Sequence, residues 1–274
     1  MKVLVPFDFS EESTNALRLG KELAGKLGVD LKVFHSLGMP NFLYSVSEKM
    51  DSLKESLLTV AELELNKVLN ELFDNPKNIE VEICEGSTSS RILKNTYDKD
   101  VFLTILGRKD QVIPNKVGST TRDVIRYANG SVISIKEKLA VKSIKNILVV
   151  TDFSSTPINA MYAVKKIQKI NNAQLKLLNV NTMEDWSSTK EVIVKMKEFC
   201  KIHSLTNVDL QVINDNTFEQ GVLNELKANS YNLMAIRIVR PESNINLPEE
   251  RVGIERLMDN TNVPIMTYAH HSPY

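Results

Sequence analysis

Apolar runs of strand length alternate along this chain with stretches whose apolar residues recur at helical spacing. Val3–Phe7 is such a run, closed by Asp8, as in a strand buried on both faces. Ser10 then offers a helix N-cap, with Glu11 and Glu12 favourable in the first turn. From Asn15 to Leu27, residues Ala16, Leu19, Leu23 and Leu27 share a face, and Gly28 ends the helix. Leu31–His35 reads as a second strand, Leu43–Phe73 as mostly helix, Ile79–Cys84 as a third strand and Ser89–Tyr97 as a helix. Val101–Leu106, Thr121–Asn129 and Val132–Ile135 follow as strand, helix and strand. Five strands with interposed helices predict a parallel sheet covered on both faces, with right-handed crossovers.

The pattern then starts again. Asp8-Phe-Ser-Glu-Glu-Ser-Thr-Asn-Ala16 recurs as Asp152-Phe-Ser-Ser-Thr-Pro-Ile-Asn-Ala160, each after an apolar strand. At the same spacing Leu31-Lys-Val-Phe34 falls on Leu175-Lys-Leu-Leu178. Two segments in one register argue for duplication of a whole domain. The second copy is expected to place strands at Ile147–Thr151, Gln174–Val180, Val208–Ile213, Leu233–Val239 and Val263–Tyr268. The expected domains are residues 1–138 and 145–274, joined through the Lys-rich stretch Lys136–Lys145. The fold class is α/β, with two tandem doubly wound, five-stranded parallel-sheet domains.

Composition narrows the partners. A chain of 274 residues has room for two ordinary domains. Lys+Arg and Asp+Glu are both 34, so no net field draws the chain to nucleic acid or to a membrane surface. Cys84 and Cys200 stand alone, without a C-x-x-C. This fits a reducing compartment and reads as two small buried hydrophobes. Lys2 is followed by a strand-length run and then Pro6 and Asp8, unlike a signal peptide. The expectation is a cytoplasmic protein with no nucleic-acid or membrane partner.

One stretch carries candidate chemistry. Gly107 stops the fourth strand, a polar loop follows, and Gly118-Ser119-Thr120 opens a helix. A glycine loop feeding a helix N-terminus leaves N–H groups free at the positive end of the helix dipole, which favours a phosphate. The plainer reading, preferred on local chemistry alone, is that Gly107 ends a strand while Gly118 and Ser119 cap a helix. The chain has no GxxxxGK[ST], no G-x-G-x-x-G after either first strand and no G-x-S-x-G. It has no metal-ligand spacing, and His270-His271 reads as a tail. No catalytic residue and no metal site is expected, and the protein is not expected to be an enzyme.

Val5-Pro6-Phe7-Asp8-Phe9-Ser10, His35, Gly86 and Gly118-Ser119 together resemble the universal stress protein family. The resemblance spans nearly the whole chain, twice. It implies a five-stranded doubly wound domain of the adenine nucleotide alpha hydrolase-like class. Members usually pair through their last strands, and a tandem member can pair its own halves. The implied partners are therefore the chain's own second domain as a pseudo-dimer, a second copy as a homodimer, and an unidentified protein. The dense apolar face of Leu43–Phe73 reads as core or, where exposed, as a partner surface.

Some members bind ATP through G-x2-G-x9-G-[ST]. Here Gly107 matches the first glycine and Gly118-Ser119 the last pair, but Asp110 replaces the middle glycine and the loop is two residues short. The resemblance implies a nucleotide site made of Asp8 at the adenine or ribose end, Ser36 along the base, and Gly107, Gly118, Ser119 and Thr120 at the phosphates. Asp8 is equally a capping residue beside Ser10, and His35 reads as a strand-end histidine. A carboxylate at Asp110 repels a triphosphate by roughly 1–4 kcal/mol at about 4 Å. Arg108 and Lys109 either offset that or form a solvated loop.

In the second copy Arg237 replaces Gly107, Arg251-Val252 replaces Gly118-Ser119, Val180 replaces Ser36, and Asp152 is kept. No ATP is expected there. Arg237, Arg240 and Arg251 either form an anion site at the strand ends or, as the preferred reading, are solvated or paired with Glu249, Glu250 or Glu255. The functional expectation is a stress-response regulatory or binding protein with weak ATP or anion binding in domain 1 only. The alternatives are an ATP-dependent conformational switch with nucleotide in domain 1 and, ranked last, a slow ATPase.

Overall fold

Strand alternation decides the architecture. In β1 (Lys2–Pro6) Val3 and Val5 pack into one apolar core and Leu4 into a second on the opposite face of the sheet. In β6 (Asn146–Val150) Ile147 and Val149 join the first core, Leu148 and Val150 the second. Both cores therefore run unbroken through the two halves. The computed structural model describes residues 1–38, 49–74, 76, 79–109, 117–151, 153, 158–238 and 249–269.

The first half continues with α1 (Glu11–Leu27), β2 (Asp30–Leu37), α2 (Lys49–Leu72), β3 (Ile79–Glu85), α3 (Thr88–Thr96), β4 (Val101–Gly107), α4 (Ser119–Tyr127) and β5 (Ser131–Ile135). After β6 come α5 (Tyr162–Asn171), β7 (Gln174–Asn181), α6 (Thr189–His203), β8 (Val208–Asn214), α7 (Phe218–Ala228), β9 (Leu233–Ile238), α8 (Glu249–Asn260) and β10 (Ile265–Ala269). The predicted elements recur within a few residues at their ends. The first helix starts at Glu11 as its predicted cap requires, with Ser10 accepting a hydrogen bond from Ser13 N–H. Gly28 closes it in the left-handed conformation. The start of the predicted Leu43–Phe73 helix lies outside the described residues, and the helix runs over Lys49–Leu72.

The ten strands form one sheet in the order β3-β2-β1-β4-β5-β10-β9-β6-β7-β8. Neighbours are parallel except β5 and β10, which pair antiparallel with Ile133 opposite Met266. The expected five-stranded sheets are thus two halves of one mixed sheet. The Lys-rich connection is not a solvated linker. Val141 and Ile144 are fully buried in the first core, and Val141 N–H donates to Glu22 Oε2 at 2.9 Å. Among the described residues no helix is long and apolar enough to cross a membrane.

Because both cores cross the seam, the halves are expected to unfold together. Ile133→Ala removes a fully buried side chain at the seam and should lower stability by about 2–5 kcal/mol. Urea denaturation should still show a single transition, and two resolved transitions would contradict the shared core.

Candidate functional site

In the order β3-β2-β1-β4-β5 the chain leaves β1 on one side and returns to β4 on the other. Open α/β sheets leave a crevice at such a switch point, beyond the carboxyl ends of the strands. A cleft of about 280 Å³ lies there. Asp8, Ser36, Gly107, Gly118, Ser119 and Thr120 all line it. Lys109 lines it too, and so do Ser13, Thr88 and Ile92, which sequence did not single out. Those three come from two helices, α1 and α3, so no local motif announces them.

The Asp8–Ser10 turn is built by hydrogen bonds. Ser10 N–H and Ser10 Oγ–H donate to Asp8 Oδ1 at 3.2 and 2.5 Å, and Asp8 N–H donates to Ser13 Oγ at 3.3 Å. Between them Phe9 sits at φ 62°, a left-handed conformation that costs a non-glycine residue roughly 1–2 kcal/mol. Phe153, its counterpart in the second copy, sits at φ 55°, so the duplication extends to this turn. Lys109 Nζ reaches Asp8 Oδ2 at 2.7 Å. Burial pushes the Asp8 carboxyl up, but hydrogen bonds from Lys109, Ser10 and Ser13 together outweigh it and hold the pKa at about 2.

Gly107 and Gly118 serve different ends. A Cβ on Gly107 would stand 2.4 Å from the Glu12 carbonyl carbon and the Ser13 nitrogen. The first turn of α1 therefore packs on the end of β4, and only glycine fits. Gly118 is extended, at φ −60° and ψ 149°, and among the described residues an added Cβ would meet Lys109 O, at 3.8 Å, and nothing nearer. Among the described residues no side chain caps α4, and its first residues line the cleft. The positive end of that helix faces the space.

Ser36 Oγ–H donates to Gly86 O at 2.9 Å, and the residue lines the cleft. His35 is buried, with Nδ1 2.7 Å from Phe7 O and its ring 5.0 Å from that of Phe9. That is the strand-end role expected of it.

The solvated-loop reading is corrected for Arg108, while Lys109 remains exposed. Arg108 is 0% exposed. Its N–H donates to Ile135 O at 2.7 Å and its Nη2 to Thr261 O at 2.8 Å, so it turns away from the cleft and crosses into the second half. Lys109 is held by Asp8. Asp110 lies outside the described residues, as do Asp152 and His270-His271.

The second half has the same frame with different filling. Val3 pairs with Leu103 as Ile147 pairs with Leu233, so Arg237 takes the position of Gly107. It is half-buried on β9 beside Tyr268. Val180, in the position of Ser36, is buried. A Cβ on Gly221 of α7 would lie 2.5 Å from Val180 Cγ1. The helix thus closes on the valine where the first half is open. Arg251 lies inside α8, where α4 has its N-cap. Arg240 lies outside the described residues and the Arg251 side chain is not described, so the three arginines are not seen together. Glu255 pairs with Arg122, at 3.2 Å, and with Arg126. Among the described residues its partners are thus arginines of the first half, and the expected pairing with Arg240 or Arg251 falls on side chains outside the description.

A doubly wound α/β frame with a crevice at its switch point, beyond the carboxyl ends of its strands, defines the fold class of this protein. The model of the universal stress protein family matches residues 1–136, and this chain belongs to that family. Its fold is shared with the crystal structure of a universal stress protein from Archaeoglobus fulgidus, at a TM-score of 0.74, 18% identity and 97% coverage of each chain. A functionally unknown protein from Pseudomonas aeruginosa PAO1 has the same fold, at a TM-score of 0.70 and 12% identity over 98% of this chain and 92% of that one. No curated protein matches by sequence.

Two outcomes follow from the site. Asp8 is held at about 2 against an ordinary 3.8, so it contributes stability above pH 4 that is lost as pH falls through 2. Asp8→Asn should lower the melting temperature at pH 7 and flatten its fall between about pH 4 and about pH 2; an unchanged acid profile would contradict the Lys109 pairing. Gly107→Ala should destabilise by about 1–3 kcal/mol through overpacking against α1, read from its chemical denaturation midpoint.

Proposed function

We propose that this member of a stress-response family is a binding protein whose first half takes an adenine nucleotide in the cleft and whose second half serves as its built-in partner. One contrast carries the reading. The first half keeps an open cleft with the uncapped end of α4 on its wall, whereas Val180 and Gly221 fill the corresponding space in the second. A phosphate at the α4 N-terminus gains the helix dipole and its free N–H groups. Lys109, half-exposed at the cleft mouth, supplies a mobile positive charge.

The Asp8–Lys109 contact favours the switch form of this reading. A bound phosphate competes with Asp8 for the Lys109 ammonium, and that differential interaction is what a ligand needs to shift a conformational population. Binding without catalysis is part of the proposal. It is supported by the commitment of Asp8 to Lys109, Ser10 and Ser13, which with a pKa of about 2 makes it a poor general base. The antiparallel β5–β10 pairing supports the second domain as the pseudo-dimer partner. It uses up the last strand of each half, so a further copy or another protein would dock elsewhere. A cytoplasmic setting belongs to the same reading and is supported by the free thiols of Cys84 and Cys200.

Isothermal titration with Mg-ATP, run beside Gly118→Arg, tests it. The expected result is one site per chain, weakened at least tenfold by the arginine. Absence of heat and of thermal stabilisation at millimolar nucleotide would overturn the nucleotide reading.

A further inference from the structure

Asp259 stands at the wrong end of its helix. It lies in the last turn of α8, which carries no basic residue, and a carboxylate there opposes the negative end of the helix dipole. Such a breach of local preference calls for a compensating contact. The structure supplies it from the other half of the chain: Val117 N–H donates to Asp259 Oδ1 at 2.8 Å. Val117 is 2% exposed, so its N–H needs a partner, since water cannot serve. Its carbonyl is held too, by Arg122 Nη2 at 3.3 Å, and the same arginine pairs with Glu255.

The position of Val117 gives this contact its meaning. Val117 immediately precedes Gly118, the N-cap of the helix that faces the cleft. On the other side of the cleft, Arg108 immediately follows Gly107 and donates to Thr261 O at 2.8 Å. Asp259 and Thr261 are two residues apart, at the corner between α8 and β10. One corner of the second half therefore grips the residue after the first cleft glycine and the residue before the second.

We propose that Asp259 and Thr261 are positioning residues for the ligand cleft of the first half: by holding Val117 and Arg108 they set the distance between Gly107 and the N-terminus of α4. The second half is then not a spent copy. It supplies, within one chain, part of the frame on which the nucleotide site is built. The inference rests on the nucleotide reading above for its ligand, but the positioning of α4 is measurable without one. Linkage makes the coupling reciprocal: whatever Asp259 adds to ligand affinity, the ligand adds to the grip of the α8 corner on Val117.

The test uses the full chain and Mg-ATP. Asp259→Ala removes the acceptor, Asp259→Leu does so at similar size should the alanine variant fail to fold, and Asp259→Asn keeps an oxygen acceptor. Glu255→Gln weakens the neighbouring ion pairs while leaving the Val117 contact. The expected result is affinity reduced about fivefold or more in Asp259→Ala, restored to within about twofold in Asp259→Asn, and within about twofold of wild type in Glu255→Gln. Equal affinities in all four proteins, or equal losses in Asp259→Ala and Glu255→Gln, would overturn the assignment. If the wild type binds no nucleotide, the ligand reading fails by itself. The amide resonances of Ser119 and Thr120 in the ligand-free protein then decide the positioning. They should shift in Asp259→Ala and return in Asp259→Asn; unchanged resonances would refute it.

Discussion

The antiparallel pairing of β5 with β10 is the constraint on which the rest of this structure depends. A parallel sheet ends in strands with unpaired N–H and C=O groups, a standing invitation to association. Here the last strand of each half satisfies the other. Pairing the two edges also brings α4 and α8 side by side over one face. There Ile125, Ile254, Leu257 and Met258 share a core, and Arg122 and Arg126 meet Glu255. On the opposite face the connection between the halves buries Val141 and Ile144 against α1 and α5. The seam is therefore three layers deep. It resembles a domain interior more than a contact between domains, whose interfaces are typically more polar.

Within that frame the two copies have taken different paths. The backbone remains duplicated down to the left-handed turn at Phe9 and Phe153, but the space above the strand ends does not. Ser36 leaves a polar wall; Val180, with Gly221 closing on it, leaves none. Phe9 is exposed beside His35, while Phe153 is buried edge-on against Phe199 of α6. A packed core tolerates little void. That accounts for the apolar filling of the second half.

The open cleft keeps its polar groups in check by pairing them. Asp8 sits at the start of α1, where a carboxylate is favoured, and it also takes the ammonium of Lys109. Among the described residues the start of α4 has no such partner from a side chain. The cleft thus has, among the described residues, an acidic corner held by its partners and an electropositive one at the start of α4.

Local pattern was enough for the elements and their order. The strand and helix runs, the Ser10 cap, the left-handed Gly28 and the Asp8–Ala16 repeat were all legible, because each rests on residues a few positions apart. So was the gathering of Asp8, Ser36, Gly107 and Gly118–Thr120 at the strand ends, through the family resemblance. What the chain's neighbours in space do was not legible. Arg108 looks like a loop cation and is buried 153 residues away in sequence against Thr261. Gly107 looks like a phosphate glycine, yet its lack of a side chain is required by α1. Glu255 answers arginines of the other half, and Asp259 offends its own helix to hold Val117. Sequence determined which faces are apolar, since periodicity is a local property. Tertiary structure alone decided which polar group meets which, because those partners are joined only when the two sheet edges close on each other.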